Sequence, residues 1–202
     1  MPNIKIGFDL DGVVLDTPTE ILKEVEKRTG IKTNIEDVYS HSIEEVYKLD
    51  PYLVDDIVRS VLSRDYIPSI DQAVPFINAL HVVFGADIYF ISNKRKELYE
   101  HDYNLLQKLG IYSPFKLILV QKDDAGVPAK ANIIKEKNIK LFVEDRLDTI
   151  IDILQNTICN VVVMDKPWNR KLEVHPMLIR IKTWYELYFI IARFLSTGLF
   201  KK

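Results

Sequence analysis

The sequence predicts an α/β fold: a Rossmann-like parallel sheet with helices on both faces and a small helical cap inserted after the first strand. Five short apolar runs read as buried strands, at Ile4 to Phe8, Asp87 to Ile91, Lys116 to Val120, Lys140 to Val143 and Asn160 to Met164. Between most of them, residues 70–84, 95–109, 129–137 and 147–154 carry apolar side chains at helical spacing. Such alternation is the mark of a parallel sheet covered on both sides. One interval breaks it, because roughly fifty residues after the first strand show helical patterns and no convincing strand.

That interval predicts the cap, residues 17–68, with 1–16 and 69–202 forming the core domain. In Thr17-Pro18-Thr19-Glu20, Thr17 reads as a helix cap, Pro18 as the first helical position and Glu20 as the closing member of a capping box. Further cap helices are expected at 42–49 and 52–63, and Pro68 marks the return to the sheet. Near the carboxyl terminus Thr183 and Glu186 repeat the Thr-x-x-Glu signal ahead of Leu187, Ile190, Ile191 and Phe194.

Composition narrows the function. The 202 residues are 48% hydrophobic, enough for a substantial core. Twenty-seven basic against 29 acidic residues give a net charge of -2, so neither extended nucleic acid nor an anionic membrane is an expected partner, and phosphate binding must be local. A lone Cys159 cannot form an internal disulfide, and His41, His81, His101 and His175 lack zinc-ligand spacing, which suits a reducing cytoplasm. The amino terminus lacks the features of a signal peptide. LYFIIA, between Glu186 and Arg193, falls far short of the roughly 20 apolar residues that span a bilayer. Nothing in the sequence specifies an oligomeric state.

The chemistry gathers at strand ends. Asp9 and Asp11 sit in FDLDGVV just past the first strand, where open α/β sheets bind ligands. Alone, Asp-x-Asp-Gly also reads as a turn or part of a calcium loop. The EF-hand version fails, since Val13 replaces a required acid and Gly12 comes one residue early. Glu144-Asp145 in LFVEDRLDT supplies a second acidic strand end, and such a concentration of carboxylates suits a hard cation such as Mg²⁺. Ser92-Asn93 in IYFISNKR reads either as a phosphoryl-oxygen binder or as a helix cap. Lys130 in GVPAKANII lies at a helix start, where the dipole disfavours a lysine, and reads as a phosphate partner or as solvated surface.

In this order the elements resemble the haloacid dehalogenase superfamily, whose four strand-end motifs correspond to DLDGVV, Ser92, Lys130 and Glu144-Asp145. The resemblance implies a Mg²⁺-dependent phosphomonoesterase acting on a small phosphate ester. Asp9 would be the nucleophile that forms an aspartyl-phosphate, and Asp11 the general acid and then base. Asp9, the Asp11 backbone carbonyl and Asp145 would hold the metal, with Glu144 orienting its waters. Ser92, the Asn93 amide and Lys130 would bind phosphoryl oxygens. Glu at the first position of the acidic pair leaves open which carboxylate touches the metal, and Lys94 and Lys122 are alternatives to Lys130. Dehalogenases need neither metal nor second acid, so Asp11 with the acidic pair favours phosphoryl chemistry.

Within the superfamily, DLDGVVLDT, Glu144-Asp145-Arg146 and VVVMDKPWNR resemble the cytosolic 5'-nucleotidase and deoxyribonucleotidase-like group, which implies a nucleoside 5'-monophosphate. Pro167-Trp168-Asn169-Arg170 reads equally as a proline turn burying a tryptophan. Tyr39, Tyr47, Tyr52 and Tyr66 read as base-stacking groups or as a small cap core. A phosphotransferase or mutase on the same site, or a binding protein retaining the fold, are the alternatives.

Overall fold

In the computed structural model, which describes residues 4–40, 42–120, 130–198 and 200, the predicted alternation becomes a six-stranded parallel sheet. Its strands are β1 (Lys5–Phe8), β2 (Asp87–Ser92), β3 (Phe115–Leu119), β4 (Leu141–Glu144), β5 (Asn160–Met164) and β6 (Leu178–Ile181), in the order β3-β2-β1-β4-β5-β6. The helices are α1 (Thr17–Thr29), α2 (Ile43–Tyr47), α3 (Pro51–Leu62), α4 (Ala73–Phe84), α5 (Tyr99–Lys108), α6 (Lys130–Lys137), α7 (Leu147–Asn156) and α8 (Trp184–Thr197).

Alternation along the strands decides which helices cover each face. Phe8, Phe90, Val143 and Val162 share one core with Ile77 of α4, Leu106 of α5 and Ile191 of α8. Tyr89, Ile91, Phe142 and Val163 share the other with Ile134 of α6 and Ile150 of α7. On that second face Gly7 of β1 must lack a side chain, because a Cβ would come 2.4 Å from the Phe142 ring.

Between β1 and β2 the chain leaves the sheet for α1 to α3 and returns beside its exit. The Asp16 N–H donates to the Pro68 carbonyl at 2.8 Å and the Ile70 N–H to Val14 at 2.8 Å, with a Leu15–Ser69 bridge between them. The helical cap covers the site with Leu22 and Val38, which pack with Ile35, Val46 and Tyr47 and receive Trp168 from the sheet side. Among the described residues no helix is long and apolar enough to cross a membrane.

Three features depart from the sequence reading. Strand β6 was not expected: its four residues bury only alternate side chains, as befits an edge, and follow Pro176 closely. The expected helix at 95–109 is a 3-10 turn at Lys96–Leu98 followed by α5. Finally, Thr17 is the first residue of α1 and Asp16 the cap position, with Thr19 donating to the Asp16 carboxylate at 2.8 Å. The Thr17 hydroxyl is engaged elsewhere, in the site itself.

Candidate active site

Strand order reverses at β1 and β4, and at that switch point an open sheet leaves a crevice beyond its strand ends. Asp9 follows β1 and donates its N–H to Val143 of β4 at 2.9 Å, so Asp9 and Glu144 adjoin. A tight turn follows, in which Val13, Val14 and Leu15 all donate to the Leu10 carbonyl and are fully buried. Trp184 of α8 closes it from below, donating from Nε1 to the Val13 carbonyl at 2.9 Å while stacking on Phe8.

Gly12 makes the turn possible. Its φ is +81° and a Cβ would lie 2.3 Å from Asp145 Oδ2. Gly12→Ala is therefore expected to cost about 1–3 kcal/mol through the backbone conformation alone, and to displace the Asp145 carboxylate as well. Urea unfolding would register this as a lower midpoint; an unchanged midpoint would mean that the turn relaxes freely.

Carboxylate oxygens of Asp9, Glu144 and Asp145, all buried, lie within 4.8 Å of one another. Lys130 Nζ is 2.8 Å from both Asp9 Oδ1 and Glu144 Oε2, with its side chain 1% exposed. One ammonium thus touches two of the three acids. Burial, then the Glu144 charge, pushes the Asp9 carboxyl up to about 7 against the pull of Lys130. Burial, with Glu144 and Asp9 beside it, also holds Asp145 well above the usual carboxylate range. For Lys130, burial acts to lower the pKa, but Asp9 and Glu144 outweigh it and hold the ammonium above its ordinary range.

This donor set fits Mg²⁺, a hard cation that prefers oxygen ligands and would offset the excess negative charge. Glu144 is already engaged: Oε1 accepts the N–H groups of Asp145 at 3.0 Å and Arg146 at 3.1 Å, and Oε2 takes Lys130. Asp9 and Asp145 are the carboxylates better placed to ligate. The Asp145 backbone is fixed by Trp168 Nε1 at 3.1 Å and Asn169 Nδ2 at 2.7 Å, both donating to its carbonyl. Pro167-Trp168-Asn169-Arg170 is thus a proline turn that buries its tryptophan, and it also braces the acidic pair.

The Asp11 carboxylate is held at both oxygens. Thr17 donates its hydroxyl to Oδ1 at 2.5 Å, and Lys94 Nζ lies 3.2 Å from Oδ2 and 3.1 Å from Asp102 Oδ2. Lys94 thus stands against Asp11, and Lys130 is the lysine beside Asp9. Lys122 lies outside the described residues. Ser92 and Asn93 line the same cavity as Asp9, Asp11 and Asp145, and Asn93 Oδ1 is buried without a hydrogen-bond partner among the described residues.

The cavity has a volume of about 320 Å³, and Ile21, Leu22, Val38 and Val54 line its cap side together with the acid Glu44. Its aromatic group is Trp168, not a cap tyrosine. Tyr39, Tyr52 and Tyr66 are exposed, and Tyr47 packs in the cap and bonds through its hydroxyl to Asn34. Sequence reasoning also missed Thr17 as a neighbour of Asp11 and Asp102 as the partner of Lys94. Asp102 did leave a trace, as an acid three and four residues before Leu105 and Leu106 on the buried face of α5.

No protein-family model matches the chain. It is 25% identical over 191 residues to a protein of Halalkalibacterium halodurans named "Putative nucleotidase BH1399", covering 90% of this chain and 89% of that one. Solved structures superpose over almost its whole length. A haloacid dehalogenase-like family hydrolase from Xanthomonas campestris matches with a TM-score of 0.57 and 11% identity, covering 97% of each chain. The "putative HAD-hydrolase YfnB" of Bacillus subtilis, bound to magnesium, matches with a TM-score of 0.59 and 18% identity over 95% of this chain and 99% of that one. The chain has the haloacid dehalogenase fold. On this haloacid dehalogenase framework the segments at Asp9, Ser92, Lys130 and Glu144, far apart in sequence, converge on adjoining strand ends.

Proposed function

We propose that the protein is a Mg²⁺-dependent phosphomonoesterase that works through an aspartyl-phosphate on Asp9. The observation that carries this reading is the buried Asp9, Glu144 and Asp145 group with Lys130 against it, Asp9 and Asp145 facing a cavity that Asp11 also lines. Asp9 attacks phosphorus, and the bond to the leaving oxygen breaks as Asp11 hands that oxygen a proton. Asp11, now ionised, takes a proton from water, whose oxygen attacks the phosphorus and releases Asp9 with inorganic phosphate. Lys130 neutralises charge on the phosphoryl oxygens, and Ser92 and the Asn93 amide hydrogen-bond them. Glu144 holds Lys130 and the start of the Asp145 loop in place. Asp9, the Asp11 carbonyl and Asp145 would hold Mg²⁺, which would supply positive charge to offset repulsion between the anionic nucleophile and the anionic substrate.

A small phosphate ester is the substrate, and a nucleoside 5'-monophosphate is the first candidate. Supporting that choice is the relative named as a nucleotidase, and the cavity wall includes the Trp168 ring. The cap closes the cavity over the leaving group and keeps bulk water from the acyl phosphate. Phosphate release from a panel of nucleoside monophosphates, sugar phosphates and aryl phosphates tests the proposal. Turnover is expected with Mg²⁺ and is expected to vanish in EDTA; no release from any ester would overturn the reading.

A further inference from the structure

Beyond the reacting groups, a chain of polar side chains, buried at Lys94 and Asp102, runs from Asp11 into the core and out to the cap. Lys94 follows the Ser92-Asn93 segment, and its side chain is 3% exposed between Asp11 Oδ2 at 3.2 Å and Asp102 Oδ2 at 3.1 Å. Asp102, 1% exposed on α5, meets His101 Nδ1 through its other oxygen at 3.1 Å. His101 Nε2 lies 2.9 Å from the Arg64 carbonyl, in the segment that returns from the cap. The His101 ring thus bridges a carboxylate on α5 and a backbone carbonyl of the returning segment. Arg64 in turn reaches Glu20 and Glu24 of α1 with its guanidinium.

Burying a lysine and an aspartate together is rarely the cheapest way to fill a core, and a Lys94–Asp102 pair alone would do nothing for Asp11. Here the ammonium is shared with a carboxylate that lines the cavity. Thr17, where the chain enters the cap, holds the other Asp11 oxygen. Both anchors of Asp11 therefore connect to the two crossings between sheet and cap.

We propose that Lys94 is a positioning residue: braced by Asp102, it fixes the angle at which the Asp11 carboxyl meets the leaving oxygen, and His101 ties that alignment to the cap through Arg64. The proposal rests on the phosphohydrolase reading above. Its consequence is selective. Proton donation matters most when the leaving group is a poor one, such as an alkoxide, and least for 4-nitrophenolate, which departs readily without a proton.

The experiment compares kcat/KM of the full chain with Mg²⁺ on 4-nitrophenyl phosphate and on a simple alkyl phosphate, in wild type, Lys94→Met, Lys94→Arg and Asp102→Asn. Lys94→Met is expected to lose at least about tenfold more on the alkyl ester than on the aryl ester, a fraction of the 10²–10⁴ that general acid catalysis supplies. Lys94→Arg should recover part of that difference, and Asp102→Asn, which keeps the lysine but removes its brace, should show the same pattern more weakly. If Lys94→Met does not fold by circular dichroism, Asp102→Asn and Lys94→Arg carry the comparison. Equal losses on both esters, or none, would overturn the proposal. Failure of wild type to release phosphate from either ester would instead remove the phosphohydrolase reading on which it stands.

Discussion

Asp9→Asn is expected to reduce phosphate release by a factor on the order of 10³ or more while leaving the protein folded. The amide fills the same space and cannot serve as nucleophile. Lys130 keeps Glu144 at 2.8 Å, so its charge is not left alone. The same substitution has a second signature. Burial and Glu144 push the folded-state Asp9 carboxyl up to about 7, against an ordinary value of 3.8. In that interval the folded protein binds more protons than the unfolded chain, so stability falls as pH rises from about 4 to about 7. Removing the titrating group should flatten the fall, with Asp145 sustaining what slope remains. Urea midpoints measured in EDTA at about pH 5 and about pH 7.5 check this: the difference between the two should shrink in the variant. Full turnover in Asp9→Asn would remove Asp9 as the nucleophile.

What the sequence made legible was whatever follows from periodicity and from position along a strand. The parallel sheet and the convergence of Asp9, Ser92, Lys130 and Glu144 are consequences of strand-helix alternation, because a parallel sheet brings its carboxyl ends to one edge. Strand β6 escaped notice because Arg180 interrupts its short apolar run, a charge that an edge strand with only alternate side chains buried can carry. Thr17 was misread for a different reason. A Thr-Pro-x-Glu start satisfies local capping rules, whereas the hydroxyl bonds to Asp11, a contact made by the tight turn at Gly12 and by no local rule. Lys94 and Lys130 are indistinguishable as letters. Only the packing of α5 and α6 against the strand ends sends one to Asp11 and the other to Asp9.

Lys130→Met should produce the largest loss of stability among single changes in the site. The methionine matches the lysine's aliphatic stem, one atom short of the ammonium, and can still pack against Phe142, whose ring lies 5.6 Å from the ammonium. It cannot supply charge. Asp9 and Glu144 would then sit buried without the cation that each touches at 2.8 Å. Removing one partner from a buried ion pair costs about 3–5 kcal/mol, chiefly because the remaining charge stays desolvated. Activity should fall as well, since no other described side chain brings an ammonium to Asp9. Adding Glu144→Gln separates the two effects. The double variant loses an acid along with the lysine, so it should regain much of the stability, as a coupled pair does in a double-mutant cycle, yet remain inactive. A Lys130→Met protein with wild-type stability in EDTA would mean that Asp9 and Glu144 share a proton in the folded state, and that Lys130 is held for the substrate's charge rather than theirs.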